Sequence, residues 1–529
     1  MKKNLFWILL MPVLFCACSE PNVVNIVGEY FLRGQEVKYD STNVDLWPEC
    51  IYGDAMIARS PNMNYYVGKI TKDEWQKNEI FLKNDEKNEV EFPNFFQGNN
   101  GELFLLNQRQ SGMKLSSLPK IQNANNAADI LDQKKWETYD LKKMQGMKYV
   151  ASSSAVLSEN SILTAINDTN DIKRLFSILD FKNQKVIPLD FGPEDESPND
   201  TVRWYNNVAN CTILGNGKGH FLYKNHSAKD AFIFNIKGTH VNVLDTLYSY
   251  SYPPEKFTIE RLSCCANNDR IYMLILDSNN KGEKLNDSDS QKPHPYLFGN
   301  TVEVYDWDGV KQEVIHLDNY AQIIMLSGDG NTLFLFAQTD EIVKPAIFSY
   351  DISNLKDNPM IDSVEIKKIC KANLEKTLEK YGKKREDYLD EGDMMVDFEL
   401  FDYNDKPHHL NEFLGKGKYT ILEFCAYGCG ACNEARPHLE KFYKQNKGKL
   451  ELITISTDKL SYWKKKPLGE VSWHEWNDHN LAIDIQKKYD VQATPTFIII
   501  NPEGKIVKKL EGFDEARIEE IKNIVFGKK

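Results

Sequence analysis

The sequence predicts a multidomain chain with an all-β N-terminal region, read as a propeller of six blades, and a C-terminal α/β domain that carries a cysteine pair. Three observations predict it. Short apolar or aromatic runs alternate with turn residues from about residue 25 to about residue 365. A Lys- and Glu-rich amphipathic stretch follows. Cys429-Gly430-Ala431-Cys432 then stands between a strand-like run and a helix-like one. At 529 residues the chain exceeds a single typical core, so at least two domains are expected.

The start of the chain reads as a targeting segment. Met1-Lys2-Lys3 is basic, Leu5 to Phe15 is apolar, and Cys16-Ala17-Cys18-Ser19 follows. The run is too short to span a bilayer and suits a secretory signal. Ala17-Cys18 resembles a lipobox, which implies that residues 1–18 form a lipoprotein signal peptide with Cys18 acylated; Phe15 stands where Leu is usual. Cleavage by an ordinary signal peptidase and an uncleaved anchor are the alternatives. The expected location is the periplasmic side of a bacterial membrane, inner or outer, with the protein lipid-anchored.

Residues 19–365 are expected to form the propeller. Strand-like runs include Gly101 to Leu106, Arg174 to Asp180, Ala231 to Ile236 and Arg270 to Ile275. The clearest repeat runs Thr301 to Trp307, a turn at Asp308-Gly309, Val310 to Leu317, Ile323 to Leu326, a turn at Gly328-Asp329-Gly330-Asn331 and Thr332 to Phe336, and Ala346 to Asp351 begins again. Four short antiparallel strands per repeat make a propeller blade. About 340 residues at about 40 to 60 per blade give about six to eight blades, and six is adopted. The Tyr305-Asp306-Trp307-Asp308-Gly309 and Phe348-Ser349-Tyr350-Asp351 phrases resemble the TolB-like six-bladed propellers of bacterial lipoproteins; a pair of β-sandwiches is the alternative. The Asp-Gly clusters are read as hairpin turns in preference to calcium or phosphate sites.

Between residues 366 and 390, Ile366, Ile369, Cys370, Leu374, Leu378 and Tyr381 recur mostly three to four apart, predicting an amphipathic connecting helix with its apolar stripe packed on one domain.

Residues 391–529 carry the chemistry. The run Tyr419 to Phe424 delivers the Cys429/Cys432 pair to a helix start, where amides and the helix dipole stabilise a thiolate below the usual value of about 8.5. Thr494-Pro495, before the buried-strand pattern Phe497 to Ile500, suggests a cis bond packed against the two sulfurs. A zinc half-site is disfavoured, since no second CxxC or Cys-His pair at zinc spacing follows, and no metal is expected. Cys425 is read as a strand-buried free thiol. His408-His409 is read as a solvated turn, His438 as a surface position, and Trp473 and Trp476 as core or groove.

From about Met394 to Phe526 these residues resemble the thioredoxin superfamily, in particular its TlpA/ResA-like branch of membrane-tethered bacterial thiol-disulfide oxidoreductases. Val396 to Leu400 with His409 to Phe413 resembles the branch's N-terminal hairpin, and residues 459–490 resemble its central insertion. The resemblance implies a thioredoxin-like fold with Cys429 as attacking thiolate and Cys432 as resolving thiol. It also implies Pro495, with Thr494, shaping the substrate groove, and Glu423 as a buried acid that takes a proton from Cys432. Pro437 matches the proline that kinks the active-site helix. Gly428 replaces the usual Trp before the pair and Ala431 the usual Pro inside it, which leaves the direction of electron flow open. The implied cofactor is none beyond the redox-active Cys429/Cys432 disulfide. The implied partners are protein thiols and disulfides outside the cytoplasm and a membrane electron donor.

Composition narrows the alternatives. The 65 basic and 77 acidic residues give a net charge of -12 without a basic block, which disfavours nucleic acid as a partner. Two other functions compete: a ligand- or protein-binding lipoprotein with an accessory redox domain, and a thiol peroxidase. The latter needs Pro-x-x-x-Thr-x-x-Cys, whereas residues 422 to 429 read Leu-Glu-Phe-Cys-Ala-Tyr-Gly-Cys.

Overall fold

The computed structural model describes residues 27–39, 47–59, 65–82, 93–98, 102–108, 113–119, 130, 132–141, 144, 150–166, 176–190, 211–225, 230–248, 263–276, 299–337, 346–382, 388–414, 416–426, 429–458, 460–465, 470–477, 485–491 and 493–527. The signal segment with Cys18 lies outside them, as does Gly428.

The N-terminal region is a six-bladed propeller. Its six sheets cover, in chain order, residues 47–82, 93–140, 150–188, 211–248, 264–321 and 323–351, and within each sheet successive strands pair antiparallel. The first strand of every sheet packs beside the first strand of the next, and the strand Ile323–Leu326 packs back on Trp47–Tyr52, which closes the ring. Each sheet is apolar on both faces, because a blade is covered by a neighbour on either side. Phe104, Leu106, Leu115 and Ile162 thus fill one inter-blade layer and Leu274, Val302, Ile324 and Leu335 another. Serines stitch the inner strands: Ser153 donates from Oγ to the Ile213 carbonyl at 3.2 Å and accepts from its amide at 2.9 Å, and Ser263 does the same with Ile324 at 3.2 and 3.1 Å.

One expectation is corrected. The repeat from Thr301 to Phe336 is not one blade; Gly299–Tyr305 and Lys311–Ala321 complete the fifth sheet, Ile323–Leu326 and Thr332–Ala337 begin the sixth, and Ala346–Asp351 continues the sixth instead of beginning another. Only Gln322 separates the two sheets, too short a break to be read as a blade boundary.

The sixth sheet lacks a fourth strand of its own and takes it from the N-terminal segment. Gly28–Leu32 pairs parallel to Lys311–Ala321 in the fifth sheet, Gln35–Glu36 pairs antiparallel to Ala346–Asp351 in the sixth, and Lys38–Tyr39 pairs parallel to Glu74–Leu82 in the first. Twelve residues therefore tie three blades together. The Asp-Gly clusters are turns: Asp306 Oδ1 accepts from the Asp308 and Val310 amides at 3.0 and 2.9 Å, and Gly309 takes φ of 91°, which favours glycine.

Helix α1 spans Ser363–Tyr381, capped by Asp362, whose side chain accepts from the Val364 and Glu365 amides. Its buried stripe, Ile366 and Cys370, packs with Phe31. Asn373 donates to the Asp318 carbonyl at 2.9 Å, and Lys380 and Tyr381 meet Glu36. The helix is thus docked on the propeller, against Lys311–Ala321 and the N-terminal segment that carries Phe31 and Glu36.

The C-terminal domain is a seven-stranded sheet with the order Pro407–His409, Glu399–Phe401, His474–Asn477, Leu450–Ser456, Tyr419–Cys425, Thr496–Ile500, Ile506–Glu511. Tyr419–Cys425 runs parallel to Leu450–Ser456 and antiparallel to Thr496–Ile500. Helices α2 (Gly430–Asn446) and α3 (Glu515–Phe526) cover one face. Side chains alternate across a strand. Ile421 therefore lies in the core with Ala435 and Leu439 of α2, while Leu422 and Phe424 lie in the opposite core with Phe398 and Tyr489.

Candidate active site

The same alternation sends Glu423 and Cys425 toward α2 with Ile421, and α2 opens with the cysteine pair. Antiparallel register sets Thr496 beside Phe424, which brings the Thr494-Pro495 turn to the end of the central strand. That peptide bond is cis.

Cys429 caps α2. Its Sγ accepts from the Cys432 amide at 3.2 Å and its thiol donates to the Thr494 carbonyl at 3.2 Å. Cys429 is half-buried, Pro495 is buried, and Cys432, in the first turn of α2, is 1% exposed. Only Cys429 presents sulfur to a partner. Glu423, 3% exposed, sits beneath the pair and accepts a hydrogen bond from Thr454 Oγ1, which in turn accepts from Trp473 Nε1 at 2.9 Å. The structure thus gathers Cys429, Cys432, Glu423, Thr494 and Pro495 at one place, with Trp473 in the core beneath it.

Burial pushes the Glu423 carboxyl up to about 7, against the pull of Thr454; Cys432 adds to the rise, Arg436 opposes it and Glu475 adds to it. Arg436 and Glu475 form a partly buried pair at 3.4 Å. The thiols share their protons. Hydrogen bonds from Cys425, then Cys429, then the Ala426 amide pull Cys432 down to about 6 against its burial. Burial, then the shared proton, pushes Cys429 up. The hydrogen bonds thus favour the anionic form at the hidden sulfur and disfavour it at the accessible one, the reverse of what the sequence implies. Both belong to one coupled titration. Because burial and the shared proton hold the Cys429 thiol up, its alkylation by iodoacetamide is expected to inflect above about 8.5, the free-thiol value; mass-mapped rates from about pH 4 to 10 check this, and an inflection well below that value contradicts it.

Sequence reasoning missed Cys425 as a member of this cluster. Its thiol hydrogen-bonds to Cys432, and the contact pushes it far above the ordinary thiol range. Strand alternation from Ile421 was the signal. The histidines stand apart: His408 stacks on Trp476 and meets Asp402 at 3.2 Å, and His438 packs on Phe513. Among the described residues no group of His, Cys, Asp and Glu could hold a metal ion.

Residues 417–506 match a family model described as thioredoxin-like. The C-terminal domain is a thioredoxin-like thiol-disulfide oxidoreductase. This oxidoreductase domain is similar to thiol-disulfide oxidoreductase ResA of Bacillus subtilis, at 26% identity over 148 residues, 26% of this chain and 76% of the relative. It is also similar to ResA of Halalkalibacterium halodurans, at 26% identity over 136 residues, 25% of this chain and 76% of the relative. Among solved structures, the thioredoxin domain of a thiol-disulfide oxidoreductase from Bacteroides vulgatus aligns at 26% identity over 26% of this chain and 99% of that one, with a TM-score of 0.24.

Proposed function

We propose that the chain reduces disulfides of exported proteins, tethered by lipid to the outer side of a bacterial membrane, with its propeller recognising the protein partner. The observation that supports the chemistry is the sole accessible sulfur of the cluster, Cys429, held by the Cys432 amide beside the cis Thr494-Pro495 turn.

Cys429 passes its proton to Cys432 along their hydrogen bond and becomes the thiolate. The Cys432 amide and the positive end of α2 stabilise that charge. Cys429 attacks one sulfur of the partner disulfide; that S–S bond breaks, the Cys429–partner bond forms, and the other partner sulfur leaves as thiolate. Glu423, titrating near 7, takes the proton from Cys432. Cys432 then attacks Cys429, the mixed disulfide breaks, and the second partner thiol leaves. Two electrons pass from the Cys429/Cys432 dithiol to the partner, and an external donor, expected in the membrane, restores the dithiol. The Thr494 carbonyl and buried Pro495 shape the groove in which the partner chain lies.

The equilibrium potential of the Cys429/Cys432 couple against glutathione tests the direction. A value of about -270 mV supports a reductase, and one of about -120 mV makes the domain an oxidant instead. Lipidation rests on Leu5 to Phe15 with Ala17-Cys18; among the described residues no helix is long and apolar enough to cross a membrane. Palmitate labelling is expected in the wild-type chain and lost in Cys18→Ala; equal labelling of both refutes the anchor.

A further inference from the structure

The proposed cycle uses two cysteines, yet three sulfurs meet at the helix mouth. Cys425 ends the central strand and is 6% exposed. Its carbonyl accepts from the Thr457 amide at 3.0 Å, and the Ala426 carbonyl accepts from the Cys429 amide at 3.0 Å. The Ala426 amide and the Cys425 thiol both donate to the Cys432 sulfur. Cys425 thus touches the sulfur that becomes half of the catalytic disulfide, and is itself buried. Glu423 lies two positions earlier on the same strand face.

We propose that Cys425 is a third redox cysteine, which exchanges with the oxidised pair to store the disulfide as a buried Cys425–Cys432 bond and return Cys429 to the surface as a free thiol.

The exchange balances without an oxidant or reductant. The Cys425 proton passes to the Glu423 carboxylate, and the Cys425 sulfur attacks Cys432. The Cys429–Cys432 bond breaks, the Cys425–Cys432 bond forms, and Cys429 leaves as thiolate. The domain stays oxidised by two electrons throughout. A domain in this form can still attack a second disulfide at Cys429. Cys432 is then unable to close the ring, so the partner's own second thiol must release it, and the partner's disulfides are rearranged with no net electron flow. The inference rests on the proposed thiol exchange at Cys429/Cys432.

The test is disulfide mapping of the full-length protein after oxidation with diamide. The native protein is alkylated with N-ethylmaleimide, then denatured in acid and alkylated with a second reagent. Chymotryptic cleavage after Tyr427 separates Cys425 from Cys429 and Cys432. The expected result in the wild type is a reducible cross-link between the Cys425 peptide and the Cys432 peptide, with Cys429 carrying N-ethylmaleimide, in roughly one molecule in ten or more. Cys425→Ala should remove that N-ethylmaleimide uptake at Cys429 of the oxidised protein, from roughly one molecule in ten or more to background. Cys429→Ser, in which residue 425 is untouched, should give the same cross-link on oxidation. An oxidised wild type holding only Cys429–Cys432, with Cys425 alkylated after denaturation, overturns this inference and leaves the parent reading standing. An oxidised wild type with all three cysteines alkylated overturns both.

Discussion

Cys429→Ser is expected to lower insulin reduction by the full-length protein by about 10³-fold or more, and Cys432→Ser to convert the same reaction into a trap. The two outcomes differ because the two sulfurs differ in exposure. Cys432, buried to 1%, meets no partner chain, so removing Cys429 leaves no accessible nucleophile at the helix mouth. Removing Cys432 leaves attack possible and deletes the closing step. The mixed disulfide then accumulates and dissolves only on adding a thiol such as dithiothreitol. Non-reducing electrophoresis with mass identification of the captured chain reads both at once, and the captured chains name the partners that the propeller is proposed to select. A Cys429→Ser protein that still reduces insulin at the wild-type rate ends the mechanism.

Glu423→Gln is expected to change stability and catalysis in opposite directions at alkaline pH. The carboxyl is raised from 4.5 to about 7 in the fold, so between those values the folded state holds a proton that the unfolded chain has released. Stability therefore falls as pH rises from about 4.5 through about 7, and above that the buried carboxylate costs about 3 kcal/mol. Gln keeps an oxygen for the Thr454 hydroxyl and carries no charge, so the variant should gain stability over the wild type at pH 8 by up to about 3 kcal/mol and gain little at pH 4. The same change removes the base for Cys432, and resolution of a mixed disulfide should slow by on the order of 10²-fold. Denaturant midpoints of the C-terminal domain at pH 4 and pH 8 and stopped-flow resolution rates measure the pair of effects. Parallel pH curves for the two proteins contradict the buried titration.

How legible these features were depended on whether local pattern or long-range pairing decides them. The CxxC, the Thr-Pro before an apolar strand, and Glu423 were readable because each is a short motif beside a strand of unmistakable pattern: Tyr419–Cys425 is buried over almost its whole length. Individual blade strands were readable for the same reason, and Ala346–Asp351 falls where the sequence puts it. Blade boundaries were not, since a propeller repeats the same strand-turn-strand chemistry inside a blade and between blades. The edge pairings of Gln35–Glu36 and Lys38–Tyr39 were invisible, being two residues each and stabilised only by partners far along the chain. The expected helix from Ile366 to Asp390 is Ser363–Tyr381 because Asp362 caps it and Gly382 follows it, signals that apolar spacing alone passes over. Cys425 was read as an isolated thiol because its neighbour Cys432 comes from another element, and only the register of strand against helix brings them into touch.

The ring closure by residues 28–39 sets an order of events during synthesis. A chain that emerges N-terminus first makes this segment early, yet its pairing edges on Lys311–Ala321 and Ala346–Asp351 come last; Gly34 waits 284 positions for Asp318 to accept its amide. Until the segment pairs with them, the fifth and sixth blades have open strand edges, the surfaces on which nascent β proteins associate with one another. The final latch is sealed by α1, which lies against Lys311–Ala321 and the same segment and grips Glu36 through Lys380 and Tyr381. Newborn chains halted before residue 381 should accordingly be the aggregation-prone and protease-sensitive ones, with resistance arriving abruptly as the helix is released from the ribosome.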